Sequence, residues 1–200
     1  MRRPEGHPVL AAMLDLVMAP LAPVRPGVVG PARGRVLEIG FGTGLNLEQY
    51  TQAASLDAVE PDPHMARRAR ARVTTAPFPV RLHEVGAEAL PFPDASFDTV
   101  VATFVFCTIP DAEAAAREVI RVLRPGGELR FAEHVRSQKA PMCALQRALD
   151  PVWQRFSGGC HLTRDPVAMF RDAGATDLEV RTRGSAWSLL PVLTGTARRG

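Results

Sequence analysis

Residues 36–44 read Val36-Leu37-Glu38-Ile39-Gly40-Phe41-Gly42-Thr43-Gly44, an apolar strand that runs straight into three alternating glycines. Gly40, Gly42 and Gly44 let the backbone turn sharply and approach a ligand where a Cβ would clash. A helix expected over residues 44–53 then aims its free N–H groups at an anionic group in the turn. A second apolar run, Leu56 to Val59, closes on Glu60, sixteen residues after Gly44, where an acid is placed to take the hydroxyls of a ribose. Strand, glycine turn, helix, strand and acid together make a nucleotide-binding crossover. The spacing is GxGxG with Leu45 next, so it departs from the dinucleotide fingerprint, whose third glycine serves close helix–strand packing beside a pyrophosphate.

Outward from this unit the alternation stays regular. The pattern predicts strand 56–60, helix 63–73, strands 79–84 and 98–104, helix 111–123 and strand 128–135, with Pro125-Gly126-Gly127 as the turn into the last. Strands alternating with helices imply an α/β fold, a doubly wound, Rossmann-like parallel sheet with helices on both faces and right-handed crossovers. The tail departs from this rhythm. Residues 136–163 hold Pro141, Pro151, Gly158 and Gly159 around a helical stretch at 143–156, an insertion after the fifth strand. Helix 164–173, stopped by Gly174, and strands 176–183 and 187–197 complete seven strands, the last antiparallel. At the front, Val9, Leu10, Met13, Leu14, Val17 and Met18 recur at helical spacing, so residues 8–18 form an amphipathic helix ahead of a Pro/Gly loop ending near Gly34. That helix packs on the domain, lies over the ligand site as a lid, or touches a membrane surface; the pattern alone leaves all three open.

A chain of 200 residues, 46% hydrophobic and 22% charged, supports one domain, residues 1–200: front helix and loop 1–34, ligand-binding core 35–135, insertion 136–163 and closing elements 164–200. The formal charge is +3, but Lys139 is the only lysine and the arginines spread from Arg2 to Arg199 without a basic face, so no nucleic-acid partner is expected. Cys107, Cys143 and Cys160 include no CxxC, which argues against a disulfide framework or a zinc knuckle and for a reducing, cytoplasmic setting. Leu16 to Val24 is interrupted by Pro20 and Pro23 and falls short of the roughly 20 residues that span a bilayer, so no integral membrane segment is expected. Arg2-Arg3 has no convincing apolar core behind it as a cleavable signal.

In open α/β sheets ligands bind outside the carboxyl ends of the strands. Five segments reach those ends: Glu38 with the glycines, Glu60, Gly86-Ala87-Glu88, Thr103 to Thr108, and Glu133-His134. Glu38 sits in an apolar strand, where an unpaired carboxylate is costly, so a hydrogen-bonded role near the turn is expected of it.

The glycine stretch resembles motif I of class I S-adenosylmethionine (SAM) methyltransferases. With residues 86–98, Gly-Ala-Glu-Ala-Leu-Pro-Phe-Pro-Asp-Ala-Ser-Phe-Asp, and 121–127, Arg-Val-Leu-Arg-Pro-Gly-Gly, it is similar to the type 11 methyltransferase group across residues 35–135. The resemblance implies SAM as methyl donor and S-adenosylhomocysteine (SAH) as product. It implies a cofactor site of Glu38, Gly40, Gly42, Thr43, Gly44, Asn46, Glu60, Pro61, Met65, Ala87, Glu88, Thr103 and Phe104, with Met65 either stacking on adenine or belonging to the core. A narrower similarity, carried by Phe104-Val105-Phe106-Cys107, Glu133-His134-Val135, Leu149 to Trp153 and Gly159-Cys160-His161-Leu162-Thr163-Arg164, is to the animal thiol S-methyltransferases and their bacterial relatives. The animal enzymes carry an N-terminal membrane anchor and this chain starts with a short helix, so membrane location does not transfer.

The narrower resemblance implies a small-molecule acceptor, most simply a thiol. A thiol of pKa about 8.5 is only a few per cent thiolate at neutral pH, so a nearby imidazole would assist. His134 is the first candidate base and His161 the second, with a structural histidine as the alternative for His134. Cys107 is a further catalytic candidate or a core filler. Asp150, Trp153, Cys160 and Thr163 would shape the acceptor pocket. The three cysteines offer soft ligands to a metalloid, but their spacing argues against it, and no metal is expected. N- or O-methylation of a lipid or secondary metabolite, and a SAM-binding partner subunit without chemistry, are the rival functions; an NAD dehydrogenase is disfavoured by Leu45.

Overall fold

The computed structural model describes residues 6–185 and 187–200; Arg2 and Arg3 lie outside the described residues. The elements run in chain order as α1 (Pro8–Met18), a 3-10 stretch Ala19–Val24, α2 (Arg25–Val29), β1 (Arg33–Ile39), a 3-10 turn Leu47–Gln49, β2 (Gln52–Val59), α3 (Pro63–Val73), β3 (Val80–His83), β4 (Phe97–Thr103) and α4 (Ala112–Val122), then β5 (Leu123–His134), α5 (Ala140–Phe156), α6 (Pro166–Asp172), β6 (Ala175–Arg183) and β7 (Val192–Arg199). They build one seven-stranded sheet in the order β3-β2-β1-β4-β5-β7-β6. The first five strands pair in parallel, and β7 runs antiparallel to both β5 and β6.

Two apolar layers cover the two faces of the sheet. On one, Leu37, Ile39, Val100 and Phe131 pack with Ala115, Ala116 and Val119 of α4 and Phe170 of α6. On the other, Val36, Leu56, Ala58 and Val101 pack with Val28 and Val29 of α2 and Ala69 of α3. Strands buried on both faces read as the continuous apolar runs seen in the sequence. Three helices start on aspartate caps. Asp62 accepts the N–H groups of His64 and Met65, Asp111 that of Ala114, and Asp165 that of Ala168.

Three expectations need correction. The helix expected over 44–53 is only the single turn Leu47–Gln49, because β2 begins at Gln52 and the Asn46 and Tyr50 side chains are both drawn back onto Glu38. The Pro/Gly loop expected over 19–34 is largely helical. Pro20 and Pro26 sit in the first turns of their segments, where a missing N–H costs nothing. The described residues therefore hold one continuous helical run, Pro8–Val29, of 22 residues with a mean hydropathy of 1.4 over its most apolar 18, long and apolar enough to cross a membrane. The prolines at 20 and 23 do not break it. Finally, the strand expected over 187–197 sits at 192–199, with the Pro191 carbonyl accepting the Val135 N–H just before β7.

Candidate active site

The carboxyl ends of β1, β2, β4 and β5 meet around the glycine turn. Gly40 and Gly42 hold φ of 69° and 59°, in the left-handed region that favours glycine. A Cβ at Gly40 would collide with the Val105 side chain, whereas one at Gly42 would meet only Leu14 Cδ2, at 3.2 Å. Glu60, at the end of β2, closes this cradle. Its Oε2 accepts the Gly42 N–H at 2.7 Å and its Oε1 the Asp62 N–H at 2.9 Å. Burial pushes the Glu60 carboxyl up to about 7, against the pull of those two N–H groups.

Glu38 is fully enclosed by partners. Asn46 Nδ2 donates to Oε1 and Tyr50 Oη to Oε2, each at 2.7 Å, while Asn46 also donates to Thr103 Oγ1 at 2.9 Å and accepts from Arg25 Nη1 at 2.5 Å. Burial raises Glu38 to about 7, opposed by these hydrogen bonds and by the Arg25 charge. The carboxylate is thus paired, as its cost in an apolar strand requires.

The front helix reaches this site. Thr43, itself fully buried, donates to Asp15 Oδ1 at 2.5 Å, and Arg72 Nη2 pairs with Asp15 Oδ2 at 2.7 Å while Nη1 donates to the Thr43 carbonyl at 2.6 Å. His7 N–H donates to Asp62 Oδ2 at 2.7 Å. Leu14, Asp15 and His7 were not among the expected site residues. Asp15 had a legible signal, since it is the only charged residue in Pro8–Met18. Of the other expected cofactor residues, Met65 and Ala87 are buried, Glu88 is half-buried and Pro61 is exposed. Phe104, just past the end of β4, holds φ 55°, a conformation rare outside glycine, with Arg25 5.9 Å from its ring centre.

Beyond β4 and β5 the expected acceptor residues converge. His134, the last residue of β5, places Nε2 2.8 Å from Cys160 Sγ, and Trp153 Nε1 donates to the same sulfur at 3.4 Å. Cys107 completes the group, with its sulfur, Cys160 Sγ and a His134 ring nitrogen within 4.8 Å of one another. A hydrogen bond from Cys107 holds the Cys160 thiol well below its usual range despite burial, with His134 helping. The same contact and burial push Cys107 up. Burial, the largest single influence, would lower His134, but the bond to Cys160 together with the charges of Cys160, Glu133 and Asp150 outweighs it and the imidazole stays raised. His134 lies buried rather than at an open mouth, and its Nδ1 and the neighbouring Glu133 Oε2 are buried without a hydrogen-bond partner among the described residues. His161 is half-buried beside Asp150, at 3.4 Å, and Thr163 is half-buried in the same loop. Cys143 is elsewhere, taking a contact from Arg147 on α5 at 3.4 Å.

The loop carrying Cys160 is pinned to the stretch that follows β4. His161 N–H donates to the Cys107 carbonyl at 2.8 Å, Arg164 Nη1 to the Phe106 carbonyl at 2.6 Å and also to that of Ile109, and Asp150 Oδ1 accepts the Leu162 N–H at 2.5 Å. Arg164 had been read only as part of a motif.

A 3-2-1-4-5-7-6 sheet with a glycine cradle after β1 and an acid closing β2 defines the class I SAM-dependent methyltransferases. The cradle at Gly42, which a side chain would fill, and the buried acid beside it fit the nucleoside and amino-acid parts of such a cofactor. The chain belongs to that family, and residues 37–131 match the group described as a methyltransferase domain. It is 30% identical over 172 residues to human thiol S-methyltransferase TMT1B, covering 83% of this chain and 70% of that protein. To the rat TMT1B it is 31% identical over 161 residues, and to the phosphatidylethanolamine N-methyltransferase of Cereibacter sphaeroides 40% over 118. Those two matches cover 78% and 58% of this chain, and the chain spans 66% and 58% of those proteins' lengths. Among solved structures, Haemonchus contortus phosphoethanolamine N-methyltransferase 2, in complex with SAH, superposes with a TM-score of 0.73 at 15% identity, covering 94% of this chain and 56% of that one. The [4+2]-cyclase SpnF does so with 0.71 at 21%, covering 90% and 80%. At such identities the likeness is one of fold.

Proposed function

We propose that this chain transfers the methyl group of SAM to the sulfur of a small thiol. One observation carries the reading. The segment by which it resembles thiol S-methyltransferases, Gly159 to Arg164, is the one that folds onto the ends of β4 and β5 and brings Cys160 to His134. An alignment covering 83% of a 200-residue chain has to run through residues 136–163, as the human TMT1B match does. The phosphatidylethanolamine relative covers 58% and need not.

SAM supplies an activated methyl on a sulfonium, and the reaction is an in-line displacement by the acceptor. The protein's part is alignment and exclusion of water. Holding two reactants in line is able to remove about 7–11 kcal/mol of barrier. Glu60 and the glycine turn position the nucleoside side, while Asp15 and Leu14 of α1 close over the turn. On the acceptor side His134 Nε2 is engaged by Cys160, so it takes the acceptor's proton only when that contact opens. The 40% identity to an enzyme of amine methylation favours a second reading, N-methylation of a lipid headgroup.

Initial rates with excess SAM on matched thiol, amine and phenol acceptors, and on phosphatidylethanolamine vesicles, separate the two. The thiol reading expects turnover on thiols alone or at least tenfold above the others; turnover confined to amines would replace it with the second.

A further inference from the structure

We propose that Cys107, His134 and Cys160 form a binding site for a soft, closed-shell cation of the Zn2+ class. The two sulfurs and an imidazole nitrogen lie within 4.8 Å of one another, and exposure of the three residues is only 3%, 8% and 8%. Zinc bonds thiolate at about 2.3 Å and imidazole at about 2.0–2.1 Å, so atoms sharing one tetrahedral ion sit roughly 3.5–3.8 Å apart. Shifts of about 1 Å or less, with the 2.8 Å contact between His134 and Cys160 opening, would place all three on a common ion. Two sulfurs and one nitrogen, with no oxygen, select zinc-like ions over Mg2+ or Ca2+.

The group comes from three separate places, the stretch after β4, the last residue of β5 and the loop between α5 and α6, and the first and third are tied to each other. The Cys107 carbonyl accepts the His161 N–H, and the Arg164 guanidinium fixes the carbonyls of Phe106 and Ile109 on one side of the loop. Trp153 Nε1 already donates to Cys160 Sγ, the kind of outer contact that orients a metal-bound thiolate. A cysteine that merely fills core faces apolar neighbours; these two sulfurs instead converge on an imidazole. The orphaned Glu133 Oε2 and His134 Nδ1 belong to the same corner, and buried polar atoms without partners are uncommon in finished structures. The inference does not depend on the acceptor being a thiol; with an ion bound, His134 is a ligand and takes no proton, so its role as base belongs to the ion-free state alone.

The test titrates Cd2+ into the full chain, freed of metal by a chelator and kept reduced by a phosphine, and reads the thiolate-to-metal charge-transfer band. The proposal expects saturation at one ion per chain, competition by Zn2+, an unchanged titration in Cys143→Ser, and at least tenfold weaker binding with a reduced band in Cys107→Ser and Cys160→Ser. SAH binding by each variant checks that it folds. Independently of any variant, Zn2+ should slow the alkylation of Cys107 and Cys160 in the folded, unaltered chain relative to the same folded chain freed of metal, as read by mass spectrometry. No saturable band, a band that survives intact in Cys160→Ser, or absence of protection at Cys107 and Cys160 would overturn it.

Discussion

Glu60 Oε2 accepts the Gly42 N–H at 2.7 Å, fastening the acid at the end of β2 to the middle of the glycine turn after β1. The two features by which the cofactor site was read from sequence are thus one hydrogen-bonded unit, and a change in either should be felt in cofactor affinity.

Gly42→Val should weaken SAH binding at least 100-fold. The residue holds φ 59°, where a β-branched side chain is strained, and the added atoms would enter the cradle toward Leu14. Calorimetric titration of SAH, with a melting curve to confirm folding, checks this; unchanged affinity would remove the turn from the cofactor site.

Protonation of Glu60 gives the site a pH signature. Its carboxyl is raised to about 7 by burial, while hydroxyl donors of a ribose favour the ionised form, so binding should lower its pKa and release protons. SAH affinity is then expected to rise as pH passes from 6 to 8, and titrations in two buffers of different ionisation enthalpy should show proton release near pH 7. Glu60→Gln should flatten the pH dependence and abolish the release.

The same shifts act on stability without ligand. Glu38, Glu60 and Glu133 are raised from 4.5 to about 7 by burial, so the folded state holds their protons longer than the unfolded chain. Their contribution is fully present below about 4.5 and is lost as pH rises through about 7. Asp15 and Asp62 are lowered, net of the opposing effect of burial, so their contribution is already complete before that window begins, while the lowered Cys160 thiol adds stability as pH rises and offsets part of the carboxylate loss. The ligand-free protein should therefore melt lower at pH 8 than at pH 5.5; a rising melting temperature over that interval would contradict the buried-carboxylate account.

Tyr50→Phe deletes the donor to Glu38 Oε2 and leaves a buried carboxylate oxygen unpaired. Such a loss costs about 1–3 kcal/mol, a fall of roughly 2–12 °C in melting temperature for a chain of this size. Differential scanning calorimetry near pH 7.5, where the acid is more ionised, reads it.

Asp15→Ala frees α1 from Thr43 and Arg72. If α1 acts as a lid, SAH dissociation should quicken about three- to fivefold, the effect of one partly exposed hydrogen-bonded pair. Amides of residues 8–18 should exchange faster in the same variant. A helix that merely packs on the domain would show the second change without the first.

Much of this architecture was legible because it is local. Strand periodicity and the glycine turn are written in adjacent residues, and helix 63–73 lies where the pattern placed it. The shortened helix after Gly44 was not legible, since it depends on Glu38 recruiting Asn46 and Tyr50 from a neighbouring segment. Nor was the helical run through Pro20 and Pro26, where two prolines happen to fall in first turns. The spacing of the three cysteines argued against a shared ligand role for them. The fold instead sends Cys143 to Arg147 and gives its place to His134, through contacts between residues 26 apart. No periodic signal encodes such a meeting.

The most direct test of thiol methylation is mass spectrometry of the products formed from SAM carrying a deuterated methyl group and a mixed panel of small thiols, amines and phenols. The account predicts a methyl thioether heavier by the full label, formed with stoichiometric SAH and absent with Gly42→Val. Labelled N-methyl or O-methyl products without any thioether would contradict it.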